Sequence, residues 1–158
     1  MKKLILLLTG MICLCWFLSG CSSGNASTLT NSEGSQIPEI ALSVSLKNIS
    51  PTGATLVFDQ YDADAPKGRL EFGSEFVIEV LKNGEWDRAP IAIEGNYGFN
   101  LIAYILPCEE ITELEVEWGW LYGELKPGEY RIRKDIDDFI ESGAYDSYTV
   151  YARFSLGR

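Results

Sequence analysis

The sequence predicts an all-β fold: a Greek-key β-sandwich of about eight antiparallel strands, set behind an apolar leader and a polar tether. Three observations point that way. Apolar and polar residues alternate over several short runs, the period of a half-buried strand. Asn83-Gly84 and Pro127-Gly128 supply turn chemistry between such runs. No long helical period, heptad or internal repeat competes with them.

The leader opens with the basic pair Lys2 and Lys3, and Leu4 to Leu18 is mostly apolar. That run is short for a bilayer span and suits a targeting segment. It ends at Leu18-Ser-Gly-Cys21, with cleavage expected between Gly20 and Cys21. A plain secretory signal or a short membrane anchor is the alternative. Residues 22–36 are rich in Ser, Thr, Gly and Asn and read as a flexible linker, because they bury too little apolar surface to offset chain entropy. The expected division is therefore a leader over 1–20, a linker over 21–36 and a sandwich domain over 37–158.

Charge and cysteine content narrow the function. The net charge is −10. Removal of Lys2 and Lys3 leaves about −12, a balance that disfavours nucleic acid and anionic lipid surfaces. Of four cysteines, Cys13 and Cys15 leave with the leader and Cys21 sits at its end, so only Cys108 belongs to the domain. No internal disulfide is available. The carboxylates beside Cys108 in Pro107-Cys-Glu-Glu110 disfavour a thiolate, so it reads as inert. Histidine is absent, which removes the commonest general base and transition-metal ligand.

The strands follow in order. In Ile40–Asn48, Leu42, Val44 and Leu46 alternate with Ser43, Ser45 and Lys47. Ser50-Pro-Thr-Gly53 turns the chain into Ala54–Tyr61, which places Leu56 and Phe58 on one face. After the loop Asp62–Gly68, Leu70–Phe72 is a short strand or loop packing. Phe76–Val80 is a strand, and Asn83-Gly84 returns it through Trp86 to about Ile93. Phe99–Leu106 reads as a short buried strand ending at Pro107. Ile111–Trp118 sets Leu114, Val116 and Trp118 against Glu113, Glu115 and Glu117, a solvated face that resists aggregation. Tyr130–Lys134 is a strand, residues 135–143 a loop or helical turn, and Tyr148–Leu156 the closing strand.

Leu125, Pro127, Gly128 and Tyr130 have the spacing Leu-x-Pro-Gly-x-Tyr. That spacing suits a tyrosine corner, whose ring packs at the sandwich edge while its hydroxyl bonds backbone a few residues upstream. An ordinary turn with a half-exposed tyrosine is the alternative. With Tyr122-Gly-Glu-Leu before the turn and Tyr151-Ala-Arg-Phe-Ser-Leu156 at the end, this half of the chain resembles a bacterial immunoglobulin-like domain. Val44–Ile49, Ser50–Gly53 and Ala54–Phe58 fit its first half. The resemblance covers roughly the last three-quarters of the chain. It implies an Ig-like sandwich of the kind found in secreted and lipid-anchored Firmicutes proteins, with no shared active site. The leader and Cys21 resemble those of bacterial lipoproteins. That likeness implies diacylglycerol on the Cys21 sulfur as the sole non-protein group, and the Ig-like resemblance favours a Gram-positive cell surface over an outer membrane.

Catalysis finds no support. A nucleophile would need a lysine partner in place of histidine, and no Ser-x-x-Lys occurs. Glu109, Glu110 and the glutamates of 113–117 do not oppose one another across a substrate. Asp59, Asp62 and Asp64, with Asp135, Asp137, Asp138 and Glu141, have calcium-type ligands but lack the D-x-D-x-[DN]-G loop, so solvated loop charge is the preferred reading. Trp86, Trp118 and Trp120, with Tyr97, Tyr122 and Tyr145, are candidate binding aromatics. The expected function is a membrane-anchored, non-catalytic interaction or accessory domain that contacts an envelope protein or polymer. A carbohydrate-binding module with Trp118 or Trp120 as platform is the alternative, and a calcium-binding adhesion module a further one. A flat solvent-facing row of aromatics would favour sugar; burial of those rings would favour the first.

Overall fold

The computed structural model describes residues 32–157, so the leader, Cys21 and most of the linker lie outside the described residues. Ten strands run in chain order: β1 (Ser32–Ile37), β2 (Leu42–Lys47), β3 (Gly53–Gln60), β4 (Arg69–Phe72), β5 (Val77–Lys82), β6 (Glu85–Arg88), β7 (Tyr104–Ile105), β8 (Ile111–Glu117), β9 (Gly128–Glu141) and β10 (Ala144–Leu156). A single helical turn, α1 (Gly119–Tyr122), precedes β9. The fold is the all-β Ig-like sandwich that the sequence predicts.

Two antiparallel layers share β1. One layer runs β6-β5-β9-β10-β1, and the other β1-β2-β3-β8. β1 pairs with β10 over Ser32–Gly34 and with β2 over Ser35–Ile37, so it crosses between layers at Gly34. Glycine is required there, because a Cβ would lie 2.1 Å from the Val44 carbonyl oxygen. Each layer turns an alternating apolar face inward. β2 contributes Leu42, Val44 and Leu46, while β9 and β10 contribute Tyr130, Ile132, Ile136, Val150, Ala152 and Phe154. Aromatic rings bridge the layers: Phe58 stacks on Phe72 at 4.9 Å, and Trp118 on Phe154 at 5.2 Å.

The β5–β6 hairpin follows from Asn83-Gly84. Both residues have positive φ, 53° and 85°, as a two-residue turn of the I′ kind requires. The returning strand is shorter than expected and stops at Arg88.

Three expectations need correction. The linker composition of residues 22–36 hid β1, whose backbone pairs with β10 and then β2 even though all its residues before Ile37 are polar or glycine. The sheet therefore claims residues that composition assigned to a tether. Residues 135–143 are not a loop or a helical turn. β9 runs on to Glu141, with Asp135 and Asp137 outward and Ile136 in the core, and Gly143 (φ 84°) sits in the turn to β10. Phe99–Leu106 is not a buried strand either. Only Tyr104–Ile105 pairs, on β4, and Leu101 is fully exposed. Among the described residues no helix is long and apolar enough to cross a membrane.

Candidate functional site

The connection between β6 and β7 builds a recessed surface beside β8. Its path is fixed at several points. The Ala92 amide donates to the Leu121 carbonyl at 2.8 Å, which ties it to α1. Ser74 Oγ donates to the Asn100 carbonyl at 2.9 Å, which ties it to the 73–76 loop. That loop is held in turn by Lys134, whose ammonium donates to the Gly73 and Glu75 carbonyls. Lys134 can reach them because β5 and β4 pair with separate stretches of one edge of β9, leaving the loop between them.

Rings fill the resulting corner. Phe99 packs edge-on to Phe76 at 5.3 Å and to Trp120 at 5.8 Å. Tyr97 meets Trp120 at 6.4 Å and an interplanar angle of 69°. Two clefts flank the connection and share Ser74, Gly98, Phe99 and Asn100. The first, about 610 Å³, runs past Glu71, Leu101, Ile102 and Asp137. The second, about 540 Å³, lies between Phe76, Phe99, Tyr104 and Trp120 on one side and Leu114–Glu117 of β8 on the other. Leu101, Ile102, Ile105, Tyr97 and Trp120 remain exposed around them. Apolar groups left in water beside a cleft make this the candidate contact surface of the described residues.

The candidate tryptophans do not converge. Trp118 is fully buried, and its indole Nε1 donates to the Pro51 carbonyl at 2.9 Å, so it cannot serve as a binding platform. Its place in the alternating run of β8 put it in the core. Trp86 lies on the outer face of the other layer, under Arg131 (4.7 Å) and Arg153 (5.7 Å). Arg131 is itself sandwiched against Tyr151 at 4.1 Å and bonded to Glu79. Only Trp120 reaches the clefts, 45 % exposed. Tyr122 is buried, and its Oη accepts the Ile78 amide proton at 3.2 Å. Burial in apolar surroundings pushes its pKa up.

At the expected corner, Tyr130 Oη donates to the Lys126 carbonyl at 2.9 Å, and the ring stacks on Phe154 at 5.5 Å. Burial raises its pKa as well. Leu125 is buried and its amide donates to the Pro51 carbonyl. Pro127 is exposed. Gly128 does not adopt the positive φ of a type II turn; it starts β9 and lies under the tyrosine ring, where a Cβ would sit 3.3 Å from Cε2. Cys21 and Gly20 lie outside the described residues.

The acidic clusters are dispersed. Asp138 points inward and accepts the Lys67 and Gly68 amides at 2.8 and 2.7 Å. Asp135 and Asp137 point outward and take hydroxyls from Thr149 and Ser147. Asp62 accepts the Asp64 amide in its own loop. Among the described residues no three potential ligands converge on a metal position. Among the described residues Lys134 is the one strongly perturbed group: burial lowers its pKa to about 8, against the opposing pull of Asp135 and Glu75.

A family model for the bacterial Ig-like domain matches residues 36–155. The chain belongs to the bacterial Ig-like domain family. No curated protein and no solved structure matches it. In this Ig-like domain the match begins within β1 and ends within β10, so it takes in both layers and the long connection between β6 and β7. Leu101, Ile102 and Ile105 are the surface residues that the sequence reading missed. Gly95 and Gly98 just ahead of the apolar run, and Asn100 within it, were the available signal that it is not a regular strand.

Proposed function

We propose that this chain is an extracytoplasmic bacterial lipoprotein, cleaved before Cys21 and held to the cell membrane by acyl chains on that cysteine, that presents a non-catalytic Ig-like domain to a protein or polymer of the envelope. The membrane is its first partner, through the anchor; nucleic acid is not one. Each buried methylene of the acyl chains contributes about 0.8 kcal/mol to anchoring. The observation that carries the interaction role is the surface around the 95–105 connection, where Tyr97, Leu101, Ile102, Ile105 and Trp120 stay exposed beside two clefts.

The carbohydrate alternative has Trp120 beside Asn100 and Glu117 in its favour. The rings around Trp120 stand edge-to-face, at 69° and 73°, and form no flat platform for a sugar face. Their geometry favours a protein surface.

Metabolic labelling with an alkyne palmitate analogue tests the address, and a glycan array tests the alternative. The expected result is label on the wild type in the membrane fraction and its loss, with release of protein, in Cys21→Ser. Unlabelled wild type in the soluble fraction would refute the anchor. Selective, Trp120-dependent glycan binding would replace the protein-contact reading with the sugar one.

A further inference from the structure

β8 ends its layer: it pairs with β3 and, among the described residues, makes no backbone hydrogen bond along its other edge. Which groups face outward follows from alternation. The Trp118 amide bonds the Thr52 carbonyl, and the Val116 carbonyl points at β3, where a Cβ on Gly53 would lie 2.7 Å from its oxygen. Residues 112, 114 and 116 are therefore bonded to β3. Residues 111, 113, 115 and 117 turn their N–H and C=O groups outward. Those four residues offer an extended ladder with no occupant in the described chain.

The side chains on either side of that ladder differ in kind. On the outer face stand Glu113, Glu115 and Glu117. Lys47 neutralises Glu113, and Thr55 donates a hydroxyl to Glu115. Among the described residues Glu117 has no such partner. On the inner side lies the 540 Å³ cleft with Phe99, Tyr104 and Trp120 as its far wall. A strand laid along β8 would place alternate residues toward the glutamates and toward those rings. A second copy of β8 would set glutamate against glutamate and is disfavoured.

We infer that β8 is a β-augmentation site that takes an extended peptide segment alternating basic and apolar residues, its backbone completing the ladder at 111–117 and its apolar side chains entering the cleft beside Trp120. The inference deepens the interaction role proposed above and rests on it. Main-chain pairing supplies affinity and the acidic row supplies selectivity.

The probe is the peptide Lys-Val-Lys-Val-Lys-Val-Lys, titrated into the full chain held in zwitterionic nanodiscs, with empty nanodiscs as control. Site-resolved amide exchange reads the outcome. The expected result is at least tenfold slower exchange at Glu113, Glu115 and Glu117 on binding. Affinity should fall at least tenfold when the lysines become glutamates, or when the peptide amides facing β8 are N-methylated. The variant Glu115→Pro removes one outward N–H and should bind at least tenfold more weakly than Glu115→Gln, which keeps that N–H; both leave the backbone ladder to β3 intact and keep the fold. Binding that is indifferent to N-methylation, protection confined to the outer face around Trp86, or no binding at millimolar peptide would each overturn the inference. None of these outcomes alters acyl labelling at Cys21 or contacts made through Leu101, so the broader proposal fails or stands separately.

Discussion

Lys134 offers a test of the packing beneath the candidate surface. Its ammonium is buried between the layers, 4.9 Å from the Phe72 ring centroid, and is bonded to two carbonyls rather than to a carboxylate. Its pKa is lowered from 10.5 to about 8, with desolvation as the main cause. The unfolded chain therefore binds the proton more tightly than the folded one. Between pH 8 and 10.5 the unfolded state holds more protons, so stability rises with pH across that window. At about 1.4 kcal/mol per unit the full span is worth about 3 kcal/mol, of which about 2 kcal/mol falls between roughly pH 7.5 and 9.5. Tyr122, Tyr130 and Lys67 are shifted the other way and act above that interval. Urea unfolding of the wild type and Lys134→Met, followed by tryptophan fluorescence across the interval, isolates the lysine. The wild type should gain about 2 kcal/mol relative to the variant as pH rises. Parallel pH profiles would refute the reasoning and show that the ammonium is solvated.

Other substitutions separate core from surface. Trp118→Ala should cost about 3–5 kcal/mol in urea unfolding, because the fully buried indole stacks on Phe154 and spans both layers. Trp120→Ala, on the cleft, should cost under about 1 kcal/mol in the same assay and weaken partner capture instead. Tyr130→Phe removes the bond to the Lys126 carbonyl and should cost about 1 kcal/mol while leaving the circular dichroism unchanged. Gly34→Ala forces a Cβ against the Val44 carbonyl where β1 changes layers and should lower stability by about 1–3 kcal/mol.

The legible parts of the fold were those where one local rule acted alone. Asn83-Gly84 dictated a hairpin through backbone sterics, and the alternation of Leu114 and Val116 with glutamates dictated which face of β8 is wet. Three segments were illegible because tertiary contacts overrode composition. β1 is polar or glycine before Ile37, yet pairing with β10 and then β2 and the Ser35 hydroxyl, which accepts the Tyr151 amide at 3.1 Å, hold it in the sheet. The acidic run after Lys134 looked like a loop. Asp138 can sit inward there because two amides of the 67–68 turn satisfy its carboxylate. The 99–106 run had the apolar content of a strand, but its residues were needed at the open side of the sandwich, where Phe99 and Tyr104 pack inward and Leu101 does not. Trp118 and Trp120 show the same limit at the site. They are two residues apart, and α1 intervenes just after the first, so one closes the core while the other faces the cleft.

Photocrosslinking in living cells tests the central claim most directly. A photoreactive amino acid would be placed at Leu101 and, separately, at Arg153 beside Trp86, toward the other end of the β9–β10 pair from the Leu101 cleft. The account predicts a specific crosslinked envelope component from position 101 and none from position 153. Capture from position 153 alone would contradict it and move recognition to the Trp86–Arg131–Tyr151 face.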